Sequence, residues 1–146
     1  MKLYLVGNAG SGKTTFVNNI ITELTDQEIS VISQDSYYHE TTKLSKKERL
    51  NINFDHPESI DFNLLTKHIL SLKKGEDVAQ PIYSFLEHNR LKETTTTIPK
   101  KIIIVEGILI LSNTELRNLL DLSIYIDVDD DERLIRRVKR DCIERG

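Results

Sequence analysis

The chain has 146 residues, of which 38% are apolar and 29% charged, and its formal net charge is −3. This length is typical of one domain with its own core, and the apolar content excludes a disordered protein. The acidic balance excludes a protein that wraps nucleic acid with a broadly basic surface. One cysteine excludes an intrachain disulfide. Because no long apolar run occurs, we expect a cytoplasmic protein with neither a membrane nor a nucleic-acid partner.

Four short apolar runs predict buried β-strands at residues 3–6, 29–33, 102–105 and 123–126. The runs are almost continuous instead of alternating, which favours a parallel sheet covered by helices on both faces. Amphipathic patterns predict helices over residues 13–24, 62–74, 115–120 and 130–143. This alternation indicates a single α/β domain over residues 1–146.

The stretch between the second and third predicted strands is too long for one crossover connection. We expect it to carry a substrate-binding insertion at about residues 36–100. Within it, residues 82–85 and 94–98 are candidates for a β-ribbon.

A glycine-rich segment directly follows the first predicted strand and opens the first helix. It fits G-x-x-x-x-G-K-[ST], the pattern in which backbone N–H groups and a helix N-terminus bind phosphates. Lys13 would place its charge on the β- and γ-phosphates, and the Thr14 hydroxyl would be a ligand for Mg²⁺. The alternative is a strand-to-helix turn without a ligand. The candidate ATP-binding residues are Gly7, Asn8, Ala9, Gly10, Ser11, Gly12, Lys13, Thr14 and Thr15.

Two carboxylates follow predicted strands at the edge where open α/β sheets bind ligands. Asp35 lies two residues beyond the second strand, where it could accept the proton of an attacking hydroxyl. Its alternative role is that of a turn or helix cap. Glu106 directly follows the third strand and is a candidate Mg²⁺ ligand opposite Thr14, with a polar strand terminus as the alternative. The predicted metal site consists of Thr14, Glu106 and Asp35.

Five ordered segments together resemble the uridine kinase (uridine–cytidine kinase) family. They are ISQDSYY at 32–38, NFDHP at 53–57, PIYSFLEHNR at 81–90, VEGIL at 105–109, and the tail 127–146 with RRVKRDCIERG. The resemblance implies a P-loop NTPase-type three-layer fold with a parallel sheet in the order 2-3-1-4. It also implies that the family's fifth strand is missing and that a lid at about residues 129–146 is incomplete.

By this resemblance, the protein is expected to phosphorylate uridine, and also cytidine, at the 5′-hydroxyl in pyrimidine salvage. ATP or GTP would be the phosphoryl donor with Mg²⁺ as cofactor, and the protein would form a homo-oligomer, a tetramer in the family. Asp35 would be the catalytic base, and Lys13, Arg137 and Arg140 would stabilise the transferred group. The residues implied in substrate binding are Tyr38, Asp55, Tyr83, His88 and Arg137.

Alternatives stay open for several of these roles. Asp55 could cap the helix that follows Pro57, and the lid arginines could form a solvated helical face that complements the helix dipole. Ser84 stands where the family usually has aspartate after the tyrosine. Two other functions are a nucleotide-binding fragment without kinase activity and a related P-loop kinase with another small-molecule acceptor.

Overall fold

The structure is a computed structural model that describes residues 2–7, 9–24, 28–140 and 142–143. Asn8, one of the predicted ATP-binding residues, lies outside the described residues, as does most of the chain after Arg140. The strands are β1 (Lys2–Gly7), β2 (Ile29–Ser33), β3 (Val78–Ser84), β4 (Asn89–Thr97), β5 (Ile102–Gly107) and β6 (Leu122–Ile126). The α-helices are α1 (Lys13–Leu24), α2 (Lys46–Leu50), α3 (Phe62–Lys74), α4 (Thr114–Asn118) and α5 (Asp130–Arg140).

Four of the strands form a parallel sheet in the order β2-β5-β1-β6. These are the second, third, first and fourth of the predicted buried strands, so the predicted order is confirmed. β1 is central and pairs with β5 on one side and β6 on the other. This arrangement brings the carboxyl ends of β1, β2 and β5 to one edge, next to the start of α1.

The two faces of the sheet are covered by different helices. Along β5, Ile103 and Val105 belong to the core beneath α3 and α4, whereas Ile104 belongs to the core beneath α1. Alternate residues of a strand point to opposite faces, so burial of all three requires cover on both sides. The three-layer α/β architecture expected from the continuous apolar runs is therefore confirmed.

The remaining two strands form a separate antiparallel ribbon, β3-β4. The predicted ribbon is confirmed, but both strands begin earlier than predicted. Most residues of β4 are exposed and several are charged or threonine. The first half of β4 is mostly polar, so it lacks the apolar pattern from which strands are predicted.

The helix boundaries follow local capping signals. α3 has the predicted bounds, since Asp61 accepts a hydrogen bond from the Leu64 N–H at its start and Gly75 ends it with a φ of +87°. α4 is shorter than the predicted 115–120, and the described part of α5 ends before residue 143. The short α2 was not predicted. None of the described helices is long and apolar enough to cross a membrane.

Candidate active site

The glycine-rich loop connects the central strand β1 to α1. Gly10 and Gly12 have φ values of +80° and +91°, which other residues rarely adopt. A Cβ on Gly7 would lie 2.5 Å from Ser11 Oγ and 2.8 Å from the Ile126 carbonyl oxygen. The loop therefore needs its glycines for both space and conformation, and it leads into the N-terminus of α1, a position at which backbone N–H groups can bind anions.

Lys13 is the first residue of α1 and is only 8% exposed. Burial lowers the pKa of Lys13, while the carboxylates of Glu106 and Asp35 oppose that shift and Arg140 adds to it. The lysine is thus enclosed between two acids and an arginine. This is the electrostatic arrangement expected where a phosphate chain would bind between cations.

Glu106 lies near the end of β5 beside the end of β2, where Ser33 Oγ donates a hydrogen bond of 2.5 Å to Glu106 Oε1. Burial raises the pKa of Glu106, the Ser33 hydrogen bond lowers it, Asp35 raises it, and Lys13 lowers it. A carboxylate in this environment favours a nearby cation. Asp35 lies in a short 3-10 turn (Gln34–Tyr37) whose N-cap is Ser33, so Asp35 is a turn residue and not the N-cap.

A cavity of about 450 Å³ lies over this edge of the sheet and joins residues from six separate segments. It brings together most of the predicted site. The lining residues that the sequence predicted are Ala9, Lys13, Thr14, Asp35, Tyr38, Asp55, His88, Glu106, Arg137 and Arg140.

Hard oxygen ligands are available in this cavity from Thr14, Asp35 and Glu106. Hydroxyl and carboxylate oxygens suit Mg²⁺, which is bound in proteins by one or two carboxylates together with phosphate oxygens. Within the described ranges, no group of three or more acidic, histidine or cysteine residues forms a metal cluster. The donor set therefore fits a Mg²⁺ that arrives with a nucleotide better than a metal held by protein ligands alone.

One side of the cavity is closed by an aromatic wall, which consists of Tyr38, Phe54, Phe85 and His88. The rings of Phe54 and His88 stack at 5.7 Å with an angle of 27°, and Tyr38 contacts Phe54 edge-on at 5.2 Å. Phe85 packs against Tyr38 at 6.4 Å. Phe54 and Phe85 were not predicted as site residues, although both stand inside the family-like segments, close to Asp55 and Tyr83.

Tyr83 does not line the main cavity but packs behind this wall, 5.0 Å from Tyr38 and 5.3 Å from Phe85. It faces a second cavity of about 510 Å³ that shares Thr14, Asp35, Phe85 and Glu106 with the first. Burial raises the pKa of Tyr83 to about 12, so the side chain remains a neutral phenol. Ser84 accepts the Glu87 N–H at 3.2 Å and thereby stabilises the turn of the ribbon, and it lines neither cavity.

Arg90 positions the tyrosines without lining the main cavity. Its guanidinium donates to the carbonyls of Tyr38 at 3.0 Å and Tyr37 at 3.1 Å. It also forms an ion pair of 3.4 Å with Asp61, the residue that caps α3. The ribbon is thereby tied to the segment that carries Asp35.

α5 closes the opposite side. A Cβ on Gly10 would lie 2.6 Å from the Arg133 carbonyl oxygen, so the helix lies directly on the glycine-rich loop. Arg137 reaches across the cavity to Asp55, with 3.7 Å between Nη2 and Oδ2. The role of Asp55 as a helix cap is wrong, because His56 caps the turn Pro57–Ser59 and Asp61 caps α3.

Comparison with known proteins shows the family of this chain. Residues 4–146 match the model of the phosphoribulokinase/uridine kinase family. The chain belongs to this family. It is 49% identical to a uridine kinase of Clostridium novyi over 142 residues, which cover 97% of this chain and 68% of the relative. It is 44% identical to a uridine kinase of Escherichia coli over 146 residues, with the same coverage.

The fold also matches a solved structure. A possible uridine kinase from Bacillus stearothermophilus superposes with a TM-score of 0.66 at 22% identity, over 96% of this chain and 77% of that one. At this identity the match supports the fold alone. The family assignment therefore rests on the sequence matches, and the fold assignment on the topology and the superposition together.

Proposed function

We propose that this protein transfers the γ-phosphoryl group of ATP or GTP to the 5′-hydroxyl of uridine, and also of cytidine, in pyrimidine salvage. The observation that carries the proposal is the cavity of about 450 Å³ over the sheet edge. It joins a lysine, three carboxylates, two arginines and an aromatic wall. The names of the related uridine kinases support a pyrimidine nucleoside as the acceptor.

The nucleotide triphosphate would bind in the glycine-rich loop, at the N-terminus of α1. Lys13 and the arginines of α5 would bind the phosphates together, because Lys13, Arg137 and Arg140 line the same cavity. Thr14, Asp35 and Glu106 would hold Mg²⁺, which supplies charge neutralisation across the β- and γ-phosphates. Phosphoryl transfer depends mainly on positioning and electrostatic stabilisation, and this arrangement of charges supplies both.

Asp35 is the proposed catalytic base. Its carboxylate would accept the proton of the 5′-hydroxyl while that oxygen bonds to the γ-phosphorus. The bond from the γ-phosphorus to the bridging oxygen breaks, and the nucleoside diphosphate leaves with the electron pair. Lys13, Arg137 and Arg140 would stabilise the negative charge on the transferred group.

The nucleoside would lie between the aromatic wall and α5. Asp55 and Arg137 would bind the ribose hydroxyls, since a carboxylate accepts and a guanidinium donates hydrogen bonds. Tyr38 and His88 would contact the base, whereas Tyr83, expected from the resemblance to bind substrate, would support Tyr38 from behind the wall. In this proposal residues of about 36–100 form the acceptor-binding part of one domain, and those of about 129–146 form the lid. The cytoplasmic location and a homo-oligomeric, tetrameric state belong to the same proposal.

The Asp35→Asn variant tests the proposed chemistry. Loss of the base should lower kcat for uridine by a factor of about 10² or more, whereas the affinity for a non-hydrolysable ATP analogue, measured without Mg²⁺, should change little. A coupled assay measures the turnover, and isothermal titration measures nucleotide binding. Asp77→Asn, which changes an exposed aspartate between α3 and β3, is the matched control and should behave like the wild type.

Turnover close to wild type in Asp35→Asn would overturn the role of the base. If the wild-type protein binds nucleotide but phosphorylates no nucleoside, the protein is a nucleotide-binding module. Turnover of a different acceptor in a panel of nucleosides, sugars and sugar phosphates would identify another kinase of the same fold.

A further inference from the structure

The turn that joins β3 and β4 contains an unusual backbone conformation. His88 has a φ of +48°, and among the described residues it is the one non-glycine residue with a positive φ. Residues with a side chain rarely adopt this region, and the conformation persists where the surroundings hold it. The turn therefore needs partners that hold His88.

Thr41, which is 47 residues earlier in the chain, supplies those partners. Its hydroxyl donates to the His88 carbonyl oxygen at 2.7 Å, and its N–H donates to Asn89 Oδ1 at 2.7 Å. Thr41 is only 7% exposed, so both hydrogen bonds are shielded from water. In return, Asn89 Nδ2 donates to the hydroxyl of Thr42 at 3.2 Å.

The conformation of His88 determines where its ring points. The imidazole stacks on Phe54 and lines the main cavity, whereas Thr41 lines neither of the two active-site cavities. Thr41 therefore acts on the ring through the backbone of His88. A residue that holds the carbonyl of a strained histidine controls the direction of the imidazole without touching a ligand.

A second set of hydrogen bonds also holds this turn. The effect of the Thr41 hydroxyl can therefore be measured without unfolding the turn. Arg49 donates to the carbonyls of Glu87 at 3.3 Å and Leu44 at 3.1 Å. The segment before α3 thus stays attached to the ribbon even without the Thr41 hydroxyl. Removal of that hydroxyl should release His88 and leave the rest of the turn in place.

We propose that Thr41 is a positioning residue for recognition of the nucleobase, a role that it exerts by fixing the backbone, and hence the ring, of His88. The inference rests on the proposed function, because that function assigns His88 to the base. Thr41 contacts neither the phosphates nor the reacting hydroxyl in this arrangement. Its loss should therefore weaken nucleoside binding and leave nucleotide binding unchanged.

The experiment compares Thr41→Val, which keeps the shape and removes the hydroxyl, with Thr41→Ser, which keeps the hydroxyl. Thr41→Val should raise KM and Kd for uridine about 3- to 10-fold, the effect of one hydrogen bond, without changing KM for ATP. Thr41→Ser should restore uridine binding. Thr66→Val, at a buried threonine of α3, is the matched control and should leave both KM values unchanged.

The NMR signals of the His88 ring provide a readout that does not depend on activity. In the free protein, stacking on Phe54 shifts these ring signals, so they should move in Thr41→Val and return in Thr41→Ser. If Thr41→Val does not fold, Thr41→Ala takes its place in the same assays.

Unchanged His88 signals, or unchanged uridine affinity in Thr41→Val, would overturn the inference and leave the proposed function intact. An equal loss of affinity for ATP would also overturn it, because that result indicates general damage. A wild-type protein that binds no pyrimidine nucleoside would overturn the proposed function and the inference with it.

Discussion

Two glycines show how single residues constrain this protein in different ways. A Cβ on Gly107 would lie 2.4 Å from Gln34 Cβ and 2.5 Å from Gln34 Oε1. Gln34 is fully buried and accepts the Leu109 N–H at 2.7 Å, so it cannot move aside easily. Gly75 has the reverse properties, since its φ is +87° and nothing lies within 4 Å of the position that a Cβ would occupy. Gly107 is needed for space and Gly75 for conformation.

Gly107→Ala should therefore damage both stability and activity. Forcing a methyl group against Gln34 should cost about 1–3 kcal/mol of unfolding free energy and displace the adjacent Glu106, which lowers kcat/KM. Gly75→Ala should cost about 1 kcal/mol through its φ alone and leave kcat/KM unchanged. Urea unfolding and the coupled assay measure the two effects. A Gly107→Ala protein with wild-type stability and turnover would show that the β5 exit is not tightly packed.

At the scale of elements, α3 is attached to the exit of β2 by a partly buried hydrogen bond. The Tyr37 hydroxyl and His68 Nδ1 lie 2.9 Å apart, and Tyr37 is fully buried. Burial raises the pKa of Tyr37, so the phenol is protonated and can donate to a neutral imidazole. Burial also lowers the pKa of His68, an effect to which Lys67 contributes. Protonation of His68 would remove the acceptor that Tyr37 needs.

The hydrogen bond between Tyr37 and His68 makes the free energy of unfolding depend on pH. Because the pKa of His68 is lower in the folded protein than in the unfolded chain, the unfolded chain binds more protons below about pH 6.5. The contribution of His68 is therefore intact above that pH and is lost as the pH falls. His68→Gln, which keeps an acceptor but cannot titrate, should flatten the decrease in the urea midpoint between about pH 7 and 5. His39→Gln, at an exposed histidine, is the control, and an equally steep decrease in His68→Gln would contradict this argument.

The elements differ in how far they could be predicted from the sequence. The parallel strands, α1 and α3 were predictable because their apolar patterns and caps are local. α2 has a capping box between Ser45 and Glu48, a signal present in the sequence, but its five residues are too few for a helical period. The hydrogen bonds of Ser33 to Glu106 and of Gln34 to Leu109 span 73 and 75 residues, and no local pattern indicates such partners.

At the scale of the whole molecule, the cavity is a space between two walls carried by distant parts of the chain. One wall consists of the ribbon and the segment around Asp55, and the other is α5. They meet where Arg137 approaches Asp55, with 3.7 Å between the charged groups and side chains that are 45% and 57% exposed. An ion pair this exposed contributes at most about 1 kcal/mol to stability. Its position over the cavity therefore favours a role in binding over a role in folding.

Asp55→Asn and Arg137→Gln test this separation of stability from binding. Each should change the unfolding free energy by less than about 1 kcal/mol, because solvent screens both charges. Each should raise KM for uridine about tenfold or more, because hydrogen bonds to charged groups contribute about 1.5–3 kcal/mol where a ligand excludes water. Lys139→Gln removes a charge from the same helix outside the cavity lining and should leave KM unchanged. A large loss of stability with unaltered KM would instead make the pair a structural contact between the two walls.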